Sequence, residues 1–271
     1  MKIQLNDIEV SYRAAGAGWP VVLIHGLAED KRSWADVQDR LPGHRSYAVD
    51  LRGHGETSLG EPEGTLEQLG RDLIAFLEAV TGPAVCVGYS LGGTVVLWAA
   101  AQRPDLIRHC VVAGTSSVVG RAAAAFFAER IGTLQRDFDA FCQALCADTA
   151  AQLVTARART DEVAARRIES INDGGGYINA ARAMHRMAAG PVAPHLSGLT
   201  CGVDIVYGDQ DVFCPEKAVD ILAAALPMHT RLKVPGAGHL MSIDQPERYA
   251  EAIRGALEGA RQLNAPSTEP G

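Results

Sequence analysis

Short apolar runs alternate along this chain with longer stretches in which an apolar residue recurs every third or fourth position. The runs at residues 20–25 (PVVLIH), 46–50 (SYAVD), 84–89 (AVCVGY), 109–113 (HCVVA), 203–207 (VDIVY) and 230–234 (TRLKV) read as strands, several of them unbroken enough to be covered on both faces. Residues 3–5 and 8–12, joined by Asn6-Asp7, predict an opening hairpin, which brings the count to about eight strands. Between the runs, Leu66, Leu69, Leu73, Leu77 and Val80 keep a helical repeat, as do Tyr249, Ile253, Leu257 and Ala260. Pro104 should follow the end of a helix that begins near Ser90, because proline cannot continue the intrahelical ladder. Strand and helix taking turns in this way predict an α/β fold with a mostly parallel sheet and helices on both of its faces.

One interval departs from the alternation. Almost ninety residues separate the run ending at Ala113 from the one starting at Val203. Within it Phe127, Ile131, Leu134, Phe138, Phe141 and Leu145 share one helical spacing, Val163, Ile168 and Ile171 suggest a second helix, and Ile178, Ala181, Met184 and Ala188 a third after Gly174-Gly175-Gly176. Residues 118–196 are therefore expected to form a helical cap over the carboxyl edge of the sheet, where open α/β proteins bind ligands. The core would comprise residues 1–117 and 197–263, and residues 264–271, with two prolines and no apolar period, are expected to be a disordered tail.

Composition narrows the function classes. The chain has 271 residues, 47% of them hydrophobic, enough for one large core. Its 25 basic and 32 acidic residues leave a formal charge of −7 with no basic cluster, so the phosphate-neutralising term that nucleic-acid binding requires is missing. No apolar run approaches a membrane span and the N-terminus lacks a secretory core, so a cytoplasmic protein is expected, with a monomer or a homodimer both compatible. Six cysteines without CxxC spacing argue against a disulfide framework or structural zinc; Cys142 and Cys146, four apart, would share a helix face.

The candidate chemistry begins at Gly88-Tyr89-Ser90-Leu91-Gly92-Gly93, between a strand and a helix. A sharp turn of that kind lifts the serine hydroxyl above the sheet and needs glycine at positions 88 and 92, where a side chain would meet backbone. Serine is a weak nucleophile at neutral pH and requires a base and a group that orients the base. Loops after two later strands supply them: Gly208-Asp209-Gln210-Asp211 and Gly236-Ala237-Gly238-His239. The expected set is Ser90, His239 and Asp211, with Asp209 as the alternative acid. For the charge that develops on a substrate carbonyl, the Leu27 amide after His25-Gly26 and the Leu91 amide at a helix start are the expected donors. His25 itself reads as a structural hydrogen-bonding residue rather than a second base. Phe127, Phe138, Phe141, Met184, Met187, Val212 and Phe213 are candidates for an apolar pocket. Neither a metal nor a cofactor is called for.

With these pieces in place, HGL at 25–27, DLRGHGETS at 50–58, GYSLGG at 88–93, GDQD at 208–211 and GAGHLMSIDQPERYAEAI at 236–253, the chain resembles the α/β-hydrolase superfamily over nearly its whole length apart from a freely varying cap. The resemblance implies that the 50–58 stretch is structural, so that Arg52 and His54 are not catalytic. It further implies hydrolysis of a small-molecule carboxylic ester, lactone or thioester through an acyl-enzyme, as in small-cap esterases and 3-oxoadipate enol-lactonases. Carbon–carbon bond hydrolases of ring-cleavage products share the set but commonly carry an aromatic residue where this chain has Leu240. Cofactor-free haloperoxidases, acyltransferases and non-catalytic ligand receptors on the same fold remain as alternatives.

Overall fold

The computed structural model describes residues 1–263; the expected tail at 264–271 lies outside the described residues. Eight strands, β1 (Lys2–Leu5), β2 (Ile8–Gly16), β3 (Trp19–Ile24), β4 (His44–Val49), β5 (Ala84–Tyr89), β6 (Ile107–Ala113), β7 (Val203–Gly208) and β8 (His229–Val234), form one sheet in the order β1-β2-β4-β3-β5-β6-β7-β8. β2 runs antiparallel to both β1 and β4, and every other pair is parallel. The strands with near-continuous apolar sequence, β5 and β7, are buried along their whole length. That is what coverage of both faces demands.

The helices are α1 (Ala35–Gln38), α2 (Leu66–Phe76), α3 (Leu91–Gln102), α4 (Arg121–Arg136), α5 (Phe138–Gln152), α6 (Thr160–Ser170), α7 (Gly175–Arg186), α8 (Glu216–Ala225), α9 (Met241–Asp244) and α10 (Pro246–Leu263). α2 starts where the Thr65 side chain accepts from the Gln68 amide, and it buries Leu66, Leu69, Leu73 and Phe76 on one side of the sheet. α10 buries Tyr249, Ile253 and Leu257 on the other side, with Val21, Leu23 and Val87. Each such side chain contributes about 1.5–3 kcal/mol relative to exposure. α3 is buried nearly all round, packed against β5, β6 and α2. Among the described residues, no helix is long and apolar enough to cross a membrane.

Between β6 and β7 the chain leaves the sheet for α4–α7, four helices where the periodicity suggested three. The repeat from Phe127 to Leu145 is not one helix. Asp137 is extended (φ −157°, ψ 106°), and its carboxylate accepts from the Ala140 amide to start α5. A break of one residue leaves the three-and-four spacing almost in phase, so the pattern hid it. These helices have a small core of their own: Leu134, Phe141, Leu145, Ile171, Tyr177 and Ala181, joined by Ala28 from the loop after β3.

Cys86 and Cys110 are both wholly buried in the core. Cys110 Sγ lies 3.8 Å from Cys201 Sγ. Cys142 and Cys146 are both half-buried on α5, and Cys146 faces Asp161 at 3.9 Å.

Candidate active site

The turn from β5 into α3 places Ser90 at φ 51°, ψ −117°, a backbone state that a residue with a Cβ adopts only under constraint. The constraint is close packing. A Cβ at Gly88 would lie 2.4 Å from the Gly92 carbonyl carbon, and one at Gly92 would lie 2.3 Å from the Ile24 oxygen. The Ser90 amide donates to the Ala113 carbonyl at 2.7 Å, which ties the turn to the end of β6.

Loops after β7 and β8 bring the other two groups in. His239 Nε2 is 3.1 Å from Ser90 Oγ, and His239 Nδ1 is 2.8 Å from Asp211 Oδ2. The second Asp211 oxygen accepts from the Phe213 and Cys214 amides, each at 2.8 Å. Burial pushes the Asp211 carboxyl up. The charge and hydrogen bond of His239 and those two amides outweigh it and hold Asp211 below the usual carboxylate range. An ionised Asp211 fixes the proton on Nδ1 and leaves Nε2 to accept from the serine. Asp209 does something else: its carboxylate accepts from the Gly236 amide at 2.8 Å and closes the neighbouring turn.

The residues expected to bind an oxyanion flank the serine from two sides. Leu91 is the first residue of α3, where amide groups have no partner within the helix and the dipole favours negative charge. Leu27 follows His25-Gly26, and His25 orients it through the peptide bond. The Leu51 amide donates to His25 Nε2 at 2.9 Å, so the ring proton resides on Nδ1 and is donated to the Gly26 carbonyl at 2.8 Å. In a trans peptide the Leu27 N–H then points away from that carbonyl. Gly26 itself packs against the nucleophile turn, since a Cβ there would sit 2.8 Å from the Tyr89 ring and 3.3 Å from Ser90 Cβ.

Three groups that sequence reasoning passed over complete the frame. Tyr89 donates its hydroxyl to the His239 carbonyl at 2.9 Å, and Thr115 donates to the Ser90 carbonyl at 3.2 Å. Asp244 accepts from the Gly238 amide at 2.9 Å and from Val154, Thr155 and Ala156, which tethers the end of α5 to the base loop. The SIDQPE stretch contained that signal, an acid five residues after the base. Arg52 is buried against Asp7 and Asp72, and His54 is buried with Nδ1 on the Arg52 carbonyl, so this stretch braces the fold.

The expected apolar pocket is largely corrected. Phe213 does lie over His239, with ring centroids 5.5 Å apart, and it meets Phe126, a residue the periodicity did not single out, at 6.1 Å. Phe127 stands edge-on to Phe126 at 5.6 Å and is half-buried. Phe141 has no exposed surface and packs on Tyr177 inside the helical insert, while Met184 and Met187 are buried in the main core. Val212 is 71% exposed and Phe138 38% exposed, both turned to solvent. Helical spacing identifies an apolar face and not what that face packs against, so core and lining residues looked alike.

Among the described residues, Asp211, Cys214 and His239 form a group whose ligand atoms lie within 4.8 Å of one another. As metal ligands they fit poorly. Burial pushes the Cys214 thiol well up, which disfavours the thiolate that a metal needs, and His239 Nδ1 is already engaged with Asp211.

A hydroxyl, an imidazole and a carboxylate raised on three strand-end loops above a parallel sheet define a protein of the nucleophile-elbow class. Residues 20–246 match the sequence model of the alpha/beta hydrolase fold, and the chain belongs to that family. It is 27% identical over 272 residues to an esterase of Mycobacterium tuberculosis, covering 95% of this chain and 88% of that protein. Identity to 3-oxoadipate enol-lactonase 2 of Acinetobacter baylyi is 26% over 262 residues, covering 93% of this chain and 94% of that protein. An enol-lactonase structure from Burkholderia xenovorans LB400 matches with a TM-score of 0.85 at 21% identity, covering 95% of this chain and 100% of that one, a likeness of fold.

Proposed function

We propose that this protein is a serine hydrolase that cleaves a small carboxylic ester, lactone or thioester through an acyl-enzyme. The observation that carries the reading is the continuous hydrogen-bonded chain Ser90–His239–Asp211, at 3.1 and 2.8 Å, at the mouth of the sheet. Relatives named as an esterase and an enol-lactonase support the same chemistry.

In this reading Ser90 Oγ attacks the carbonyl carbon while its proton passes to His239 Nε2, and Asp211 stabilises the imidazolium. The negative charge on the carbonyl oxygen is met by the Leu27 and Leu91 amides. His239 returns the proton to the leaving oxygen or sulfur as the acyl-enzyme forms, then removes a proton from water, which attacks the ester and releases Ser90. Every proton and electron pair is handled by these groups, so the reaction calls for no cofactor. Residues 118–196 act as a cap whose Phe126, with Phe127 edge-on to it, meets Phe213 beside the base, a wall suited to an apolar group of modest size. We place the protein in the cytoplasm.

A fluorophosphonate probe should label Ser90, and Ser90→Ala should lose both the label and the turnover of p-nitrophenyl esters. Turnover surviving in that variant refutes the assignment. A panel of esters, lactones and thioesters of graded length then identifies the acyl and leaving groups.

A further inference from the structure

Leu27 sits in a short turn that the inserted helices grip. The residue after it, Ala28, has φ 56°, a left-handed state that costs a residue with a Cβ about 1 kcal/mol or more. Its side chain is wholly buried in the core of the insert, with Leu134, Phe141 and Tyr177. Arg167 on α6 is also buried. Its guanidinium is anchored on α5 by Thr149 Oγ1 at 2.8 Å and Gln152 Oε1 at 3.0 Å. The remaining protons reach back to the turn: Nε to the Ala28 carbonyl at 3.4 Å and Nη2 to the Leu27 carbonyl at 3.5 Å. On the other side of the turn, buried Glu29 accepts from the Gly26 amide at 3.3 Å; burial pushes its carboxyl up, against the pull of the Arg167 charge.

Two successive carbonyls drawn toward one guanidinium keep Ala28 in its left-handed state. Without that attraction the residue can relax to negative φ, which rotates the peptide planes on either side and carries the Leu27 amide with them. A donor to an oxyanion is effective only when it is already in place. Resting on the serine-hydrolase reading above, we propose that Arg167 is a positioning residue that holds the Leu27 amide for the oxyanion, so that the helical insert and not the sheet alone completes the reactive site.

The test measures p-nitrophenyl butyrate turnover per active site, the sites being counted with a fluorophosphonate run to completion. Arg167→Met should lower kcat by about tenfold or more with KM little changed. Affinity for a trifluoromethyl ketone, which adds to the serine as an oxyanion, should fall by a similar factor. Arg167 borders an open cavity of about 180 Å³, so in Arg167→Ala millimolar ethylguanidinium should restore part of the lost kcat. Should those variants fail to fold, Arg167→Lys retains the buried charge; a single ammonium cannot span Thr149, Gln152 and both carbonyls, and kcat should still fall. A folded Arg167→Lys protein turning over within about twofold of the parent per titrated site overturns the proposal. So does a loss that lies wholly in the number of titratable sites. If parent turnover survives Ser90→Ala, the serine reading falls and this proposal with it; if turnover depends on Ser90 but not on Arg167, this proposal alone falls.

Discussion

Replacing Asp211 by Asn changes one atom and should reverse a proton. In the parent, one carboxylate oxygen takes two amide hydrogens, from Phe213 and Cys214, and the other takes the proton on His239 Nδ1. The asparagine oxygen must stay with the two amides, because an NH₂ group there would set donor against donor. Its NH₂ therefore faces His239 and obliges Nδ1 to accept. The imidazole proton moves to Nε2, 3.1 Å from Ser90 Oγ, where a base is needed and a donor now stands. The loss expected for an inverted tautomer is about 10⁴ in kcat, or about 5.4 kcal/mol on the barrier. Steady-state hydrolysis of p-nitrophenyl acetate at neutral pH, with both variants checked for folding, measures it. Asp209→Asn is the control: its side-chain oxygen still accepts from the Gly236 amide, so kcat should stay within about threefold of the parent. The reasoning is refuted if Asp211→Asn retains more than about a tenth of the parent kcat, or if Asp209→Asn proves the more damaging.

Burial without a partner for Nε2 holds His54 down to about 3, so the native protein keeps it neutral while the unfolded chain takes up a proton below about 6.5. Folding therefore weakens as pH falls from about 6.5 toward 3; urea titrations at pH 7 and 5 should show a His54 contribution of about 2 kcal/mol that vanishes in His54→Gln, and equal slopes in both proteins contradict it. Gly88→Ala should destabilise by about 3 kcal/mol or more or fail to accumulate, because its Cβ meets rigid backbone at 2.4 Å, whereas Gly120→Ala, with nothing within 4 Å, should stay within about 0.5 kcal/mol; similar melting temperatures for the two would count against the close-packing account. Phe141→Ala should cost about 3–5 kcal/mol of stability with KM little changed, while Phe213→Ala should raise KM at little cost in stability; the opposite pattern would return Phe141 to the pocket.

Strand placement in the middle of the sheet was legible because both-face burial writes itself as unbroken apolar runs, as in β3 and β5, whereas the edge strand β8, HTRLKV, is largely exposed and shows only a short polar–apolar alternation. The nucleophile turn was legible for a steric reason. Gly88 and Gly92 leave room that no other residue allows, and a strand before and a helix after give the motif its meaning. The base and acid loops were readable as loops after strands, yet the choice between Asp209 and Asp211 depended on two amides, two and three residues on, that place one carboxylate and not the other beside His239.

What the chain's own order determined is therefore whatever short-range sterics and burial impose: strands, main helices, the elbow and the loops that bear chemistry. Contacts between distant segments decided the rest. Phe127 and Phe141 carry the same periodic signal, and only packing sends one beside the aromatic wall near the base and the other into a private core with Tyr177. Arg167 shows no pattern at all, because the carbonyls that meet its guanidinium lie some 140 positions away, and local preference contains no record of such an approach.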